Sequence, residues 1–214
     1  EMYRYDSSTL LRIVNPWQGA DSVSQWVFLS RDDEKPPKGF AGETIDVPVR
    51  RIVCMSSSYV AFLEALGADS TICAISGTGY IWSDKVRNRI AGGEIAEAGF
   101  DNSLNFEKLV ALKPDVVFLY GLTGKNAVTD KLHELGLKTV YIGDYVENNP
   151  LGRAEWITVF GEFTGRRELA RTLFDSISNE YNRAKALVSG VEKRPEVMLN
   201  APWQDSWFVP GDRS

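Results

Sequence analysis

Asn102 to Gly121 reads NSLNFEKLVALKPDVVFLYG and places a helix and a strand in immediate succession. Ser103 is suited to cap a helix whose apolar residues Leu104, Leu109 and Leu112 fall near one face, while Pro114 stops it and Asp115 turns the chain. Val116 to Tyr120 is then a continuous apolar run, the pattern of a strand in a parallel sheet covered on both faces. Glu107 stands in the first helical turn, where the helix dipole favours a carboxylate.

The same helix-to-strand phrase recurs around this stretch. Leu63 to Gly67 (LEALG), Leu109 to Lys113 (LVALK) and Leu132 to Gly136 (LHELG) each precede an apolar strand. Arg51 to Met55 reads as a strand, Ser56 or Ser57 as the cap of the next helix, Val60, Leu63 and Leu66 as its apolar face, and Thr71 to Ser76 as the following strand. Parallel neighbours need a crossover of about this length, so the predicted fold class is α/β, a parallel sheet of βα units. GTGYIW (Gly77 to Trp82) lacks the third glycine of a dinucleotide fingerprint, and GLTGKN (Gly121 to Asn126) has the wrong spacing for a phosphate loop. Both read as turns at the strands' carboxyl ends, where open α/β sheets bind ligands.

Asn105 to Val117, NFEKLVALKPDVV, resembles the signature of the cobalamin and iron-siderophore binding proteins that serve ABC importers. RIVCMSSSYVAFLEALGA (Arg51 to Ala68), KLHELGLKTVYIG (Lys131 to Gly143), PLGRAEW (Pro150 to Trp156) and WFVPG (Trp207 to Gly211) resemble further segments of that family in the same order. The resemblance covers Arg51 to Ser214, and residues 1–50 lie outside it. It implies a chelatase-like, class III periplasmic binding fold: two α/β lobes joined by a long helix, with the ligand in the cleft between them.

Outside the repeated units, Thr9 to Val14 and Ser24 to Leu29 read as a hairpin around the turn-rich NPWQGADS (Asn15 to Ser22), with Trp17 and Trp26 as packing anchors; the alternative is that Trp17 reaches a ligand. RDDEKPPKGFAGE (Arg31 to Glu43) reads as an exposed connection. Leu151 to Thr164 and Arg167 to Ser189 read as helices, the second with Leu169, Leu173, Ile177, Tyr181, Ala184 and Val188 along one stripe. Glu196 to Ala201 reads as a strand that opens the second lobe. The expected organisation is an N-terminal β extension (1–50), an α/β lobe (51–165), an interlobe helix (166–190) and the start of a second lobe that is otherwise missing (191–214).

The chain has 214 residues, 43% of them hydrophobic and 25% charged, enough to bury a substantial core in one or two domains. A net charge of -5 without a Lys/Arg block argues against nucleic-acid binding. No leader-like or membrane-spanning run is present. Cys54 and Cys73 read as two buried thiols, although neighbouring strands leave a bridge conceivable. His133 is the chain's one histidine and reads as a solvated residue, which gives little support to catalysis or to a bare-metal site.

Aromatic rings offer area at small rotamer cost and stack on flat conjugated groups. Tyr80, Trp82 and Phe100 fall on loops of the first lobe, and Trp203, Trp207 and Phe208 follow the first strand of the second, which makes these six the candidate ligand contacts. The resemblance implies a monomeric importer substrate-binding protein with no intrinsic cofactor. Its ligand would be a metal chelate (an iron-siderophore, cobalamin or haem-type compound), and its home the periplasm or cell envelope, with a lipid anchor on a removed N-terminal segment. It also implies that Glu107 pairs with arginines of the membrane permease. The alternatives are an enzyme on a chelatase-like or nitrogenase-like fold and a ligand-free structural protein of the envelope.

Overall fold

The computed structural model describes residues 1–100, 103–121, 127–193, 195–202 and 204–207. Four strands come first: β1 (Met2–Arg4), β2 (Thr9–Val14), β3 (Ser24–Ser30) and β4 (Glu43–Asp46), paired in that order. The hairpin is present, with Thr9 opposite Leu29 and Val14 opposite Ser24. Alternation sends Thr9, Leu11 and Ile13 inward. The connection after β3 leads into β4, which runs parallel to it and was not foreseen.

Next come β5 (Ile52–Cys54), α1 (Ser57–Ala65), β6 (Ile72–Ile75), α2 (Asp84–Ala91), β7 (Ala96–Glu97), α3 (Phe106–Leu112), β8 (Val116–Leu119), α4 (Ala127–Glu134), β9 (Thr139–Tyr141), α5 (Pro150–Thr164) and α6 (Arg167–Val188). The second sheet has five strands in the order β7-β6-β5-β8-β9, and every neighbouring pair is parallel. All its carboxyl ends therefore lie along one edge. Side chains alternate between two cores: Ile52, Cys54, Val116 and Phe118 join Tyr59, Phe160 and Phe163 on one face, while Val53, Val117 and Leu119 join Leu109 and Leu132 on the other. Phe118 makes edge contacts with Phe160 and Phe163 at 5.1 and 4.9 Å between ring centres.

The N-terminal sheet shares the first of these cores through Leu11, Ile13, Val27, Leu29 and Ile45. Glu162 of α5 ties it down further. That carboxylate is 2% exposed, meets Arg167 at 2.6 Å and Arg4 at 3.2 Å, and accepts the Thr9 hydroxyl at 3.0 Å. A carboxylate so enclosed needs these partners, because burying it unpaired is costly.

Three local expectations are corrected. Asn105, not Ser103, caps α3, its side chain accepting the Lys108 N–H at 2.9 Å. Leu104 accordingly precedes the helix, and buries with Leu109 as a staple across the cap. In α6 the buried contact falls on Ala170, with Leu173 and Phe174 partly covered, while Leu169, Ile177, Tyr181 and Val188 of the expected stripe are exposed. Residues 196–201 form no strand and pair with no strand among the described residues, and Val197, Met198 and Leu199 are exposed. Cys54 and Cys73 are free buried thiols. Among the described residues no helix is long and apolar enough to cross a membrane.

Candidate functional site

The loops after β6 and β7 carry the exposed aromatics on the carboxyl-end edge. Gly77 leaves β6 in the left-handed region (φ 75°), and a short 3-10 turn over Thr78–Tyr80 follows. A Cβ at Gly77 would lie 2.9 Å from a Tyr80 ring carbon and 3.4 Å from a Phe100 ring carbon, so both rings pack across this glycine. Tyr80 is 71% exposed, Trp82 91% and Phe100 54%. Water-facing rings of this extent contribute little to the fold, which leaves their faces open to a partner. Tyr80 and Trp82 also line a groove of about 990 Å³ with Ser57, Ser58, Glu64 and Lys85. The structure thus places Tyr80 beside Phe100 across Gly77 and along one groove with Trp82.

Glu97, at the end of β7, accepts the N–H groups of Gly77 (2.9 Å), Thr78 (2.8 Å) and Gly99 (3.0 Å) and the Thr78 hydroxyl (2.7 Å). Partial burial pushes its carboxyl upward, and the Thr78, Gly77 and Gly99 donors outweigh that, holding it below the ordinary glutamate value. Ser56 caps α1 beside this half of the edge, accepting the Ser58 N–H at 3.3 Å.

At the β8 and β9 end, the tip of the N-terminal hairpin covers the edge. Tyr145 donates its hydroxyl to the Gly121 carbonyl (2.8 Å) and accepts the Gln18 N–H (3.1 Å), and its ring lies 4.5 Å from that of Tyr120. Trp17 packs on Tyr141 at 4.9 Å. Gly121 permits this approach, since a Cβ there would meet Tyr141 at 2.9 Å and Trp17 at 3.1 Å. Asp144 is buried at this end of the edge; burial pushes its carboxyl up, and its Oδ1 has no hydrogen-bond partner among the described residues.

Tyr145, Asp144 and Glu97 were not singled out by sequence; Glu97 and Tyr145 gain their places through residues distant in the chain, such as Thr78 for Glu97 and Gly121 for Tyr145. Trp207 is 47% exposed and donates its indole N–H to the Leu199 carbonyl at 2.9 Å, within its own segment. Trp203 and Phe208 lie outside the described residues. Glu107 is exposed in the first turn of α3. Asn105 donates its N–H to the Ala98 carbonyl at 3.1 Å, which sets the start of α3 beside the carboxyl end of β7. His133 is exposed, as expected of a solvated residue, and its Nε2 also lies 2.7 Å from the Thr139 hydroxyl and 3.5 Å from Glu43. Among the described residues no group of three or more His, Cys, Asp or Glu side chains is arranged to hold a metal ion.

Residues 52–214 match the family model described as periplasmic binding protein. An uncharacterized lipoprotein of Methanocaldococcus jannaschii is 29% identical, over 94% of this chain and 53% of its own length, and a second from the same organism is 29% identical over 90% and 50%. The chain spans about half the length of these curated relatives. Among solved structures, it is similar to a periplasmic heme binding protein from Pseudomonas aeruginosa (TM-score 0.52, 18% identity, 66% of this chain and 47% of that one). It is also similar to the periplasmic vitamin B12 binding protein of Vibrio cholerae (0.51, 15%, 67% and 52%) and to the triscatecholate siderophore binding protein of Bacillus subtilis (0.53, 14%, 73% and 51%). These likenesses establish the fold, an α/β lobe that corresponds to about half of each structure. The matched family comprises binding proteins rather than enzymes. With its parallel five-stranded lobe and a match over most of its length, the chain belongs to the periplasmic binding protein family.

Proposed function

We propose that this chain forms one wall of the substrate-binding protein of an ABC importer, which captures a metal chelate (an iron-siderophore, cobalamin or haem-type compound) and hands it to the membrane permease. The observation that carries this reading is the exposure of Tyr80, Trp82 and Phe100 on the loops at the carboxyl-end edge of the sheet. A flat, conjugated ligand matches such a surface, and a chelated metal brings its own donors. The ligands of the structural neighbours (heme, vitamin B12 and a ferric siderophore) belong to this chemical class.

In this reading residues 51–165 are the N-terminal lobe, 1–50 its β extension, 166–190 the interlobe helix and 191–214 the start of the opposite lobe. Trp203, Trp207 and Phe208 then face the ligand from that second side. Glu107, exposed near the same edge, is the docking carboxylate for permease arginines. The lipoprotein relatives support a place at the outer face of a membrane, held by a lipid anchor.

Purification of the full-length protein from its native cells tests the reading. Its absorption spectrum should show the intense band of a porphyrin, the bands of a corrinoid or the charge-transfer band of a ferric siderophore. A colourless protein that stays colourless when offered all three compounds would count against it.

A further inference from the structure

Glu97 closes β7 beside Ile75, the last residue of β6, so its side chain stands where both strands release their loops. We infer that Glu97 is a positioning residue: it clasps those two loops in the arrangement that joins Tyr80 and Phe100 into a surface before any ligand arrives. The inference rests on the reading of that surface as the ligand wall.

Both carboxylate oxygens are engaged, and by two different loops. Oε2 takes the N–H and hydroxyl of Thr78, while Oε1 takes the N–H of Gly77 and that of Gly99, the residue before Phe100. Hydrogen bonds to an ionised acceptor are roughly twice as strong as neutral ones, and only a carboxylate offers two such acceptor atoms here. The left-handed turn at Gly77 serves the same end, since it lies under the two rings. A wall fixed in advance spares the ligand the ordering of two loops on binding. With the clasp removed, Tyr80 and Phe100 hang on loops whose amide groups have lost their shared acceptor.

Amide hydrogen exchange on the ligand-free, full-length protein tests the clasp, and titration with haemin, cyanocobalamin and a ferric tris-catecholate tests its purpose. In Glu97→Ala the amides of Gly77, Thr78 and Gly99 should exchange faster by about tenfold or more, those of β5 and β8 should keep their rates, and affinity for the probe bound by the wild type should fall about tenfold. Glu97→Gln should recover part of both losses. Thr78→Val, which deletes one donor, should weaken affinity about threefold and carries the test if Glu97→Ala does not fold. Unchanged exchange, opened amides with full affinity, or acceleration spread equally to β5 and β8 would overturn the inference. If the wild type binds none of the three probes, the importer reading fails by itself, and the exchange rates alone decide whether Glu97 holds the loops.

Discussion

The side-chain amide of Gln25 pairs with the backbone of Tyr141 as a neighbouring strand would. Tyr141 donates its N–H to Gln25 Oε1 at 2.9 Å, and Gln25 Nε2 donates to the Thr139 carbonyl at 3.0 Å. Since β9 is an outer strand, this side chain from β3 satisfies backbone groups that otherwise lack a ladder. Gln25→Ala should cost about 1 to 2 kcal/mol in urea unfolding and speed exchange at the Tyr141 amide. Wild-type stability and exchange would show that the clamp is dispensable.

Asp144 works in the opposite sense. Burial raises its carboxyl above the ordinary aspartate value of 3.8, and Oδ1 has no hydrogen-bond partner among the described residues. A group whose pKa is raised in the folded state favours folding below its unfolded value, and that contribution is lost as pH rises through the folded one. Asp144→Asn should therefore melt higher than wild type at pH 7, by an amount that shrinks toward pH 3.5 or so. A constant difference across that range, or a less stable variant at pH 7, would contradict this account.

Glu107 is predicted to matter between proteins rather than within this one. An exposed carboxylate in a first helical turn contributes about 1 kcal/mol at most, whereas a desolvated pair with arginine across an interface contributes more. Glu107→Arg should leave the melting temperature and ligand affinity near wild type and abolish complex formation with the permease in reconstituted vesicles. Normal uptake by that variant would remove Glu107 from the docking surface.

The βα units were legible because their signals are local. VVFLY and the three LxxLG-like phrases state strand and helix within a few residues of chain. β1, β4 and β7 were not read, since segments of two to four residues take their form from partners elsewhere, as Tyr3 does from Leu10. Helix α2, rich in charge, shows its meaning only through the burial of Val86. The exposed rings were legible by residue type and by their place after strands. Glu97 and Tyr145 were not, because a lone Glu or Tyr signals nothing until Thr78 or Gly121 is beside it. The Ser103 cap was a near miss: both Ser103 and Asn105 are suitable, and Asn105 is the residue adjoining the first helical position.

Trp82 gives the most direct test of the central claim that this edge receives a metal chelate. It is 91% exposed, so truncating it removes no core contact. The full-length protein, wild type and Trp82→Ala, should be titrated with haemin, cyanocobalamin and a ferric tris-catecholate, following ligand absorbance. The account predicts that wild type binds one of them and that Trp82→Ala weakens that binding by about 1 to 3 kcal/mol, roughly 5- to 150-fold, at unchanged melting temperature. Binding of equal strength in the two proteins, or no binding of any probe by wild type, would contradict it.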